Sequence, residues 1–138
     1  MSVKAILQDI KDKDVKYVDL RFTDTKGRLQ HVTFDIDLVD DEFLEEGTMF
    51  DGSSIAGWKA INESDMLLKP DLDTAYIDPF YQHTTLFLFC DVLNPDTNEP
   101  YNRDSRSMAK KALAFVQSAG VGDKVYFGPE AEFFIFDD

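Results

Sequence analysis

Two carboxylates one residue apart, Glu130 and Glu132, stand in the run Gly128-Pro129-Glu130-Ala131-Glu132-Phe133-Phe134-Ile135-Phe136. Aromatic and β-branched residues crowd this run, so it reads as a strand beginning near Lys124. Side chains alternate faces along a strand, which puts Glu130, Glu132, Phe134 and Phe136 on one face and Ala131, Phe133 and Ile135 on the other. Apolar residues on both faces imply a largely covered strand. Carboxylates about 7 Å apart there repel by about 2 kcal/mol at an effective dielectric of 20. A hard divalent cation is the natural compensation. The plain alternative is a solvated face or a pair of salt bridges, although a solvated face rarely continues as Phe-x-Phe.

A second constellation lies at residues 51–64, Asp51-Gly52-Ser53-Ser54-Ile55-Ala56-Gly57-Trp58-Lys59-Ala60-Ile61-Asn62-Glu63-Ser64. It has small residues and no sustained period, and reads as an ordered loop. Asp-Gly followed by two serines is by itself a turn whose side chains bond nearby backbone. The length of the segment exceeds a simple turn, and loops of that length are often functional. Ile55 and Trp58 argue against disorder. The residues alone, with a carboxylate, hydroxyls and an amide, leave a binding loop and a plain side-chain-bonded turn both open.

Composition narrows the partners. Of 138 residues, 27 are acidic and 14 basic, a formal charge of −13. Phosphate backbones demand Lys and Arg clusters, so nucleic acid is not an expected partner. Apolar runs such as Leu86-Phe87-Leu88-Phe89-Cys90 are too short to span a bilayer, so no membrane partner is expected. Met1-Ser2-Val3-Lys4-Ala5-Ile6 has no signal-peptide core. One cysteine, Cys90, excludes an internal disulfide and reads as a small core residue. Together these features fit a cytoplasmic chain.

The elements that must position these groups are short. Val3, Ile6, Leu7 and Ile10 recur at helical spacing. Residues 15–22 alternate, Thr23-Asp24-Thr25-Lys26-Gly27 is a turn, and Leu29 to Phe34 returns, so residues 15–34 form a hairpin. Leu38 to Glu46 is a short acidic helix that Gly47 ends. Strands follow at Met66–Lys69, Ala75–Asp78 and Thr85–Val92, punctuated by Pro70 and Pro79. Leu93 to Asn102 is a connection. Asp104 or Ser105 then caps a helix with Ala109, Ala112, Leu113 and Val116 as its buried stripe and Gly120 at its end. The expected class is α+β, with a small mixed domain at 1–102 and, at 103–138, the first helix and strand of a second unit. One helix and one strand cannot cover each other fully, so that unit reads as unfinished.

Phe50-Asp51-Gly52-Ser53-Ser54 together with Glu63-Ser64-Asp65-Met66-Leu67-Leu68 resembles the N-terminal signature of glutamine synthetases, and Gly128-Pro129-Glu130-Ala131-Glu132-Phe133-Phe134 looks like the start of their catalytic sheet. Lys69-Pro70-Asp71 and Asp78-Pro79-Phe80 also match, so the resemblance covers essentially the whole chain, nearest to the bacterial type I form. It implies a β-grasp fold for residues 1–102 and the beginning of a catalytic domain at 103–138. It implies ligation of ammonia to glutamate with ATP through γ-glutamyl phosphate, in a homo-oligomer of two stacked six-membered rings whose active sites form between subunits. By position, Asp51 matches the carboxylate that binds ammonium and takes its proton, and Ser54 a hydroxyl lining that site. Glu130 and Glu132 match ligands to two Mg²⁺ or Mn²⁺ ions. Trp58 matches an aromatic of the loop presented to the neighbouring subunit, with no chemistry of its own. Ser105 departs from the family's usual proline, which touches the helix start. His31 and His83 match no catalytic position and read as surface or hydrogen-bonded structural residues. Other nucleotide, metal and glutamate groups of the family have no counterpart in this sequence, so the 138 residues alone are expected to be inactive. The competing reading is a stand-alone β-grasp interaction module in which both glutamates are structural. A catalytically dead relative is disfavoured by the presence of Asp51, Glu130 and Glu132.

Overall fold

A computed structural model describes residues 1–58 and 64–137. Positions 59–63, within the expected binding loop, lie outside the described residues, as does 138. The chain divides into two compact units, Met1–Met108 and Ala109–Asp138.

The first unit is α+β. Helix α1 (Val3–Asp12) opens with Ser2, whose side chain accepts the Ala5 N–H. Strands β1 (Tyr17–Thr23) and β2 (Leu29–Asp35) form the expected hairpin. Asp24 organises its turn, accepting the Lys26 and Arg28 N–H groups and the Gln30 amide, while Gly27 takes φ +79°. The expected helix at 38–46 divides into a 3-10 turn at Ile36–Leu38 and α2 (Asp41–Glu46). Asp35 ends β2 and caps the turn, and Asp40 caps α2. Strand β3 (Thr48–Asp51) was not expected from the sequence, and β4 (Asp65–Pro70), β5 (Tyr76–Ile77) and β6 (Thr85–Leu93) follow.

The sheet order is β2-β1-β6-β4-β3, with β5 also on β6. β6 pairs in parallel with β1 and antiparallel with β4 and β5. Alternation along β1 and β6 sends Val18, Leu20, Phe22, Leu86, Leu88, Cys90 and Val92 into one face, where they are buried with Ile6 and Ile10 of α1 and Phe43 and Leu44 of α2. Each such side chain contributes about 1.5–3 kcal/mol on burial. Burial also pushes the Cys90 thiol far above its ordinary pKa, so it is an inert core group.

The opposite face carries a charge cluster. Asp19, fully buried, accepts from Arg21 Nε at 2.7 Å, Thr33 Oγ1 at 2.7 Å and lies 2.8 Å from His31 Nδ1. Arg21 reaches Asp78 at 2.6 Å and stacks over the Phe87 ring at 4.2 Å. His31 is thus a hydrogen-bonded structural residue, and His83 packs edge-on to Tyr17.

Helix α3 (Ser105–Ser118) starts on Asp104, whose carboxylate accepts the Ser107 N–H at 2.8 Å and the Ser107 hydroxyl at 2.6 Å. Ser105 is not the cap; its hydroxyl donates to the Asp24 carbonyl instead. Gly120 ends the helix at φ +68°. Two expectations for this region are overturned. Ala109, Ala112 and Leu113 are exposed and Val116 only half-buried, because no sheet forms against them among the described residues of their unit. Residues 124–137 form no strand: a strand needs a paired edge, and none is present in that unit among the described residues.

Candidate functional site

β3 delivers Asp51 to the end of the sheet, where it pairs in register with Asp65 of β4. Two glycines make this approach possible. A Cβ on Gly47, which sits at φ +86°, would stand 2.2 Å from the Leu68 carbonyl oxygen. A Cβ on Gly52 would stand 2.5 Å from Met66 Cγ, and the Gly52 N–H donates to the Ser64 carbonyl at 2.7 Å. Only glycine lets the chain turn tightly against β4 at these points.

Immediately after Asp51 the chain makes a 3-10 turn, Gly52–Ser54. Asp51 Oδ1 accepts the Ser53 N–H at 2.8 Å and the Ser53 hydroxyl at 2.6 Å. The Ser54 hydroxyl donates to the Asp51 carbonyl at 2.7 Å. Hydrogen bonding from the Ser53 hydroxyl and N–H holds the Asp51 carboxyl below the ordinary carboxylate range; partial desolvation opposes this, and the Ser64 hydroxyl adds to it. The result is an exposed side chain whose ionised form is favoured, beside the exposed Ser54. An exposed anion beside two serine hydroxyls attracts small cations. Ser53, the main partner of Asp51, was not singled out by sequence reasoning, although the Asp-x-Ser turn carried the signal.

Trp58 is not presented outward by this chain. It is 5% exposed and packs against Phe22 at 5.4 Å, Phe50 at 6.3 Å and Tyr101 at 5.3 Å between ring centroids. Trp58, Phe22, Phe50 and Tyr101 form an aromatic end of the one hydrophobic core beneath the loop, and this is why the indole turns inward.

Glu130 and Glu132 belong to the second unit and are both exposed. The covered strand that would have made them a costly pair is absent, so that physical argument for a metal falls. Their oxygens are the right donor type for a hard cation. Among the described residues, however, no group of three His, Cys, Asp or Glu side chains is arranged to hold one. Two exposed carboxylates supply only part of the oxygen donors that Mg²⁺ or Mn²⁺ requires, so any metal held here needs further ligands.

Residues 14–95 match the family model of the glutamine synthetase β-grasp domain. The chain belongs to the glutamine synthetase family. It is 67% identical over 137 residues to a glutamine synthetase of Azorhizobium caulinodans, covering 99% of this chain and 29% of that protein. To a glutamine synthetase of Bradyrhizobium diazoefficiens it is 66% identical, with the same shares of 99% and 29%. Among solved structures, a Plasmodium falciparum glutamine synthetase superposes with a TM-score of 0.74 at 28% identity, over 87% of this chain and 23% of that one. The chain thus spans under a third of the length of the curated glutamine synthetases it matches. No helix among its described residues is long and apolar enough to cross a membrane.

Proposed function

We propose that this chain forms the N-terminal part of a cytoplasmic glutamine synthetase, which joins ammonia to the γ-carboxyl of glutamate with ATP through γ-glutamyl phosphate. In this reading residues 1–102 are the β-grasp domain and 103–138 open the catalytic domain. The enzyme works as a ring-forming homo-oligomer, a dodecamer of two hexameric rings, without nucleic-acid or membrane partners. The observation that carries the reading is Asp51: an exposed carboxylate, held ionised by Ser53, on a turn fixed to the sheet by Gly52.

Asp51 and Ser54 make the ammonium site. The anionic Asp51 attracts NH₄⁺, and transfer of one ammonium proton to its carboxylate frees the nitrogen lone pair that then attacks the γ-carbonyl carbon. Glu130 and Glu132 provide carboxylate oxygens toward Mg²⁺ or Mn²⁺, a role that rests on donor chemistry and family membership. Such ions, when bound, neutralise phosphate oxygens and polarise the transferring group. A stand-alone β-grasp interaction module is the weaker reading, because the relatives that cover 99% of this chain are named glutamine synthetase.

The test is a chimera in which this chain replaces the matching segment of the Azorhizobium caulinodans synthetase. The chimera is expected to release phosphate in a glutamate-, ATP- and ammonium-dependent manner, whereas the 138-residue chain alone does not. Asp51→Ala in the chimera should raise the ammonium KM about 10–100-fold, the worth of one hydrogen bond to a charged group, with little change for ATP. Equal loss toward ammonium and ATP would refute the assignment of Asp51.

A further inference from the structure

The connection after β6 is tied to the Asp51 loop by a set of long-range hydrogen bonds. Tyr101 is 5% exposed, and its N–H donates to the Val92 carbonyl of β6 at 2.8 Å. Its phenol donates to the Trp58 carbonyl at 3.0 Å, while its ring meets the indole edge-on at 5.3 Å. Arg103 Nη1 donates to the same Trp58 carbonyl at 3.2 Å and also to the Gly57 carbonyl. Gly57 sits at φ +84° with open space around it. Two adjacent carbonyls are therefore gripped by donors from a segment itself fastened to the central strand.

From Trp58 a ladder leads back to the carboxylate. The Trp58 N–H donates to the Ile55 carbonyl at 3.1 Å, and the Ile55 N–H to the Gly52 carbonyl at 3.2 Å. Ser53, between them, holds Asp51 Oδ1. Each rung is short-range, and among the described residues the loop has no ladder partner beyond Gly52. Its far end is fixed by Ile55 and Trp58 burial and by the Tyr101 and Arg103 donors.

We propose that Tyr101 and Arg103 are positioning residues that latch the Asp51–Trp58 loop, so that Asp51 and Ser54 are presented in one arrangement. Neither touches the carboxylate; both act through the Gly57 and Trp58 carbonyls. The consequence for ammonium binding rests on the assignment of Asp51 made above, whereas the latch itself does not.

Tyr101→Phe removes the hydroxyl and keeps the ring. In the 138-residue chain, amide hydrogen exchange at Ser53, Ile55 and Trp58 should accelerate about 2–10-fold, the worth of one neutral hydrogen bond, with the β1 and β6 amides unchanged. In the chimera, the same substitution should raise the ammonium KM about 2–10-fold and leave kcat and the ATP KM unchanged. Arg103→Lys should give a smaller change in the same direction, and Arg103→Ala a larger one. Unaltered loop exchange, or acceleration spread evenly over β1 and β6, would overturn the latch. A fall in kcat at unchanged ammonium KM would overturn it as a positioning device. If Asp51→Ala leaves ammonium use intact while Tyr101→Phe still loosens the loop, the Asp51 assignment fails and the latch stands. If Asp51→Ala weakens ammonium use and Tyr101→Phe alters neither exchange nor KM, the latch alone fails.

Discussion

Asp51 and the pair Glu130 and Glu132 are all acidic residues in stretches rich in aromatics, yet their surroundings differ sharply. Asp51 ends a paired strand, has its carboxylate held by Ser53, and stands over a cluster of Phe22, Phe50, Trp58 and Tyr101. Glu130 and Glu132 stand on a segment whose Phe133, Phe134, Ile135 and Phe136 are 78–86% exposed. The first unit buries its apolar groups against one another, and the second leaves most of its own in the open.

That contrast can be broken by substitution. Asp19→Ala leaves Arg21 without one partner of its nearly buried cluster, and should destabilise the chain by about 3–5 kcal/mol, read by urea unfolding. Loss of under about 1 kcal/mol would show that Asp78 and the Phe87 ring suffice to hold the guanidinium. Leu88→Ala removes a fully buried side chain between β1 and the helices and should cost about 2–5 kcal/mol. Phe134→Ala, in the second unit, should stay within about 0.5 kcal/mol in the same measurement. If the two substitutions cost the same, the contrast between the units is wrong.

Acid supplies the smallest and most graded test. Asp24 is held below its ordinary pKa by the Gln30 amide and the Arg28 N–H, and Asp78 by Arg21 and the Phe80 N–H. A carboxylate with a lowered folded pKa stabilises the fold fully above its unfolded value, near 3.8 here, and loses that contribution as pH falls through the folded value. Unfolding midpoints should therefore be level on this account above about pH 5 and drop below the ordinary carboxylate range. Asp24→Asn should flatten the acid side of that curve.

The hairpin, β4, β6 and α1 were legible because period-2 and helical patterns are local and one face of each is buried. Asp51 and Ser54 were legible as a short motif. β3 was not, since Thr48-Met49-Phe50-Asp51 is four residues long and has its pairing supplied by β4. Tyr101 falls in a Pro- and Asn-rich connection that reads as linker and Arg103 just after it, and a hydrogen bond to a carbonyl more than forty residues away leaves no local trace. The burial of Trp58 was not legible, because a loop tryptophan carries no periodicity to say which way it faces. The strand expected at 124–136 failed for the opposite reason: its local pattern is strong, but alternation specifies a face and not a neighbour.

The parallel pairing of β1 with β6 has a consequence for how the chain is made. Tyr17 of β1 lies opposite Thr85 of β6. At a synthesis rate of about 5–20 residues per second, β6 leaves the ribosome several seconds after β1. During that interval the β1–β2 hairpin can form, but the β1 edge and the Val18-Leu20-Phe22 face stay uncovered. Closure must then bring together segments far apart in sequence, a high-contact-order step that slows folding. Until β6 arrives, the nascent hairpin is an open template for another strand.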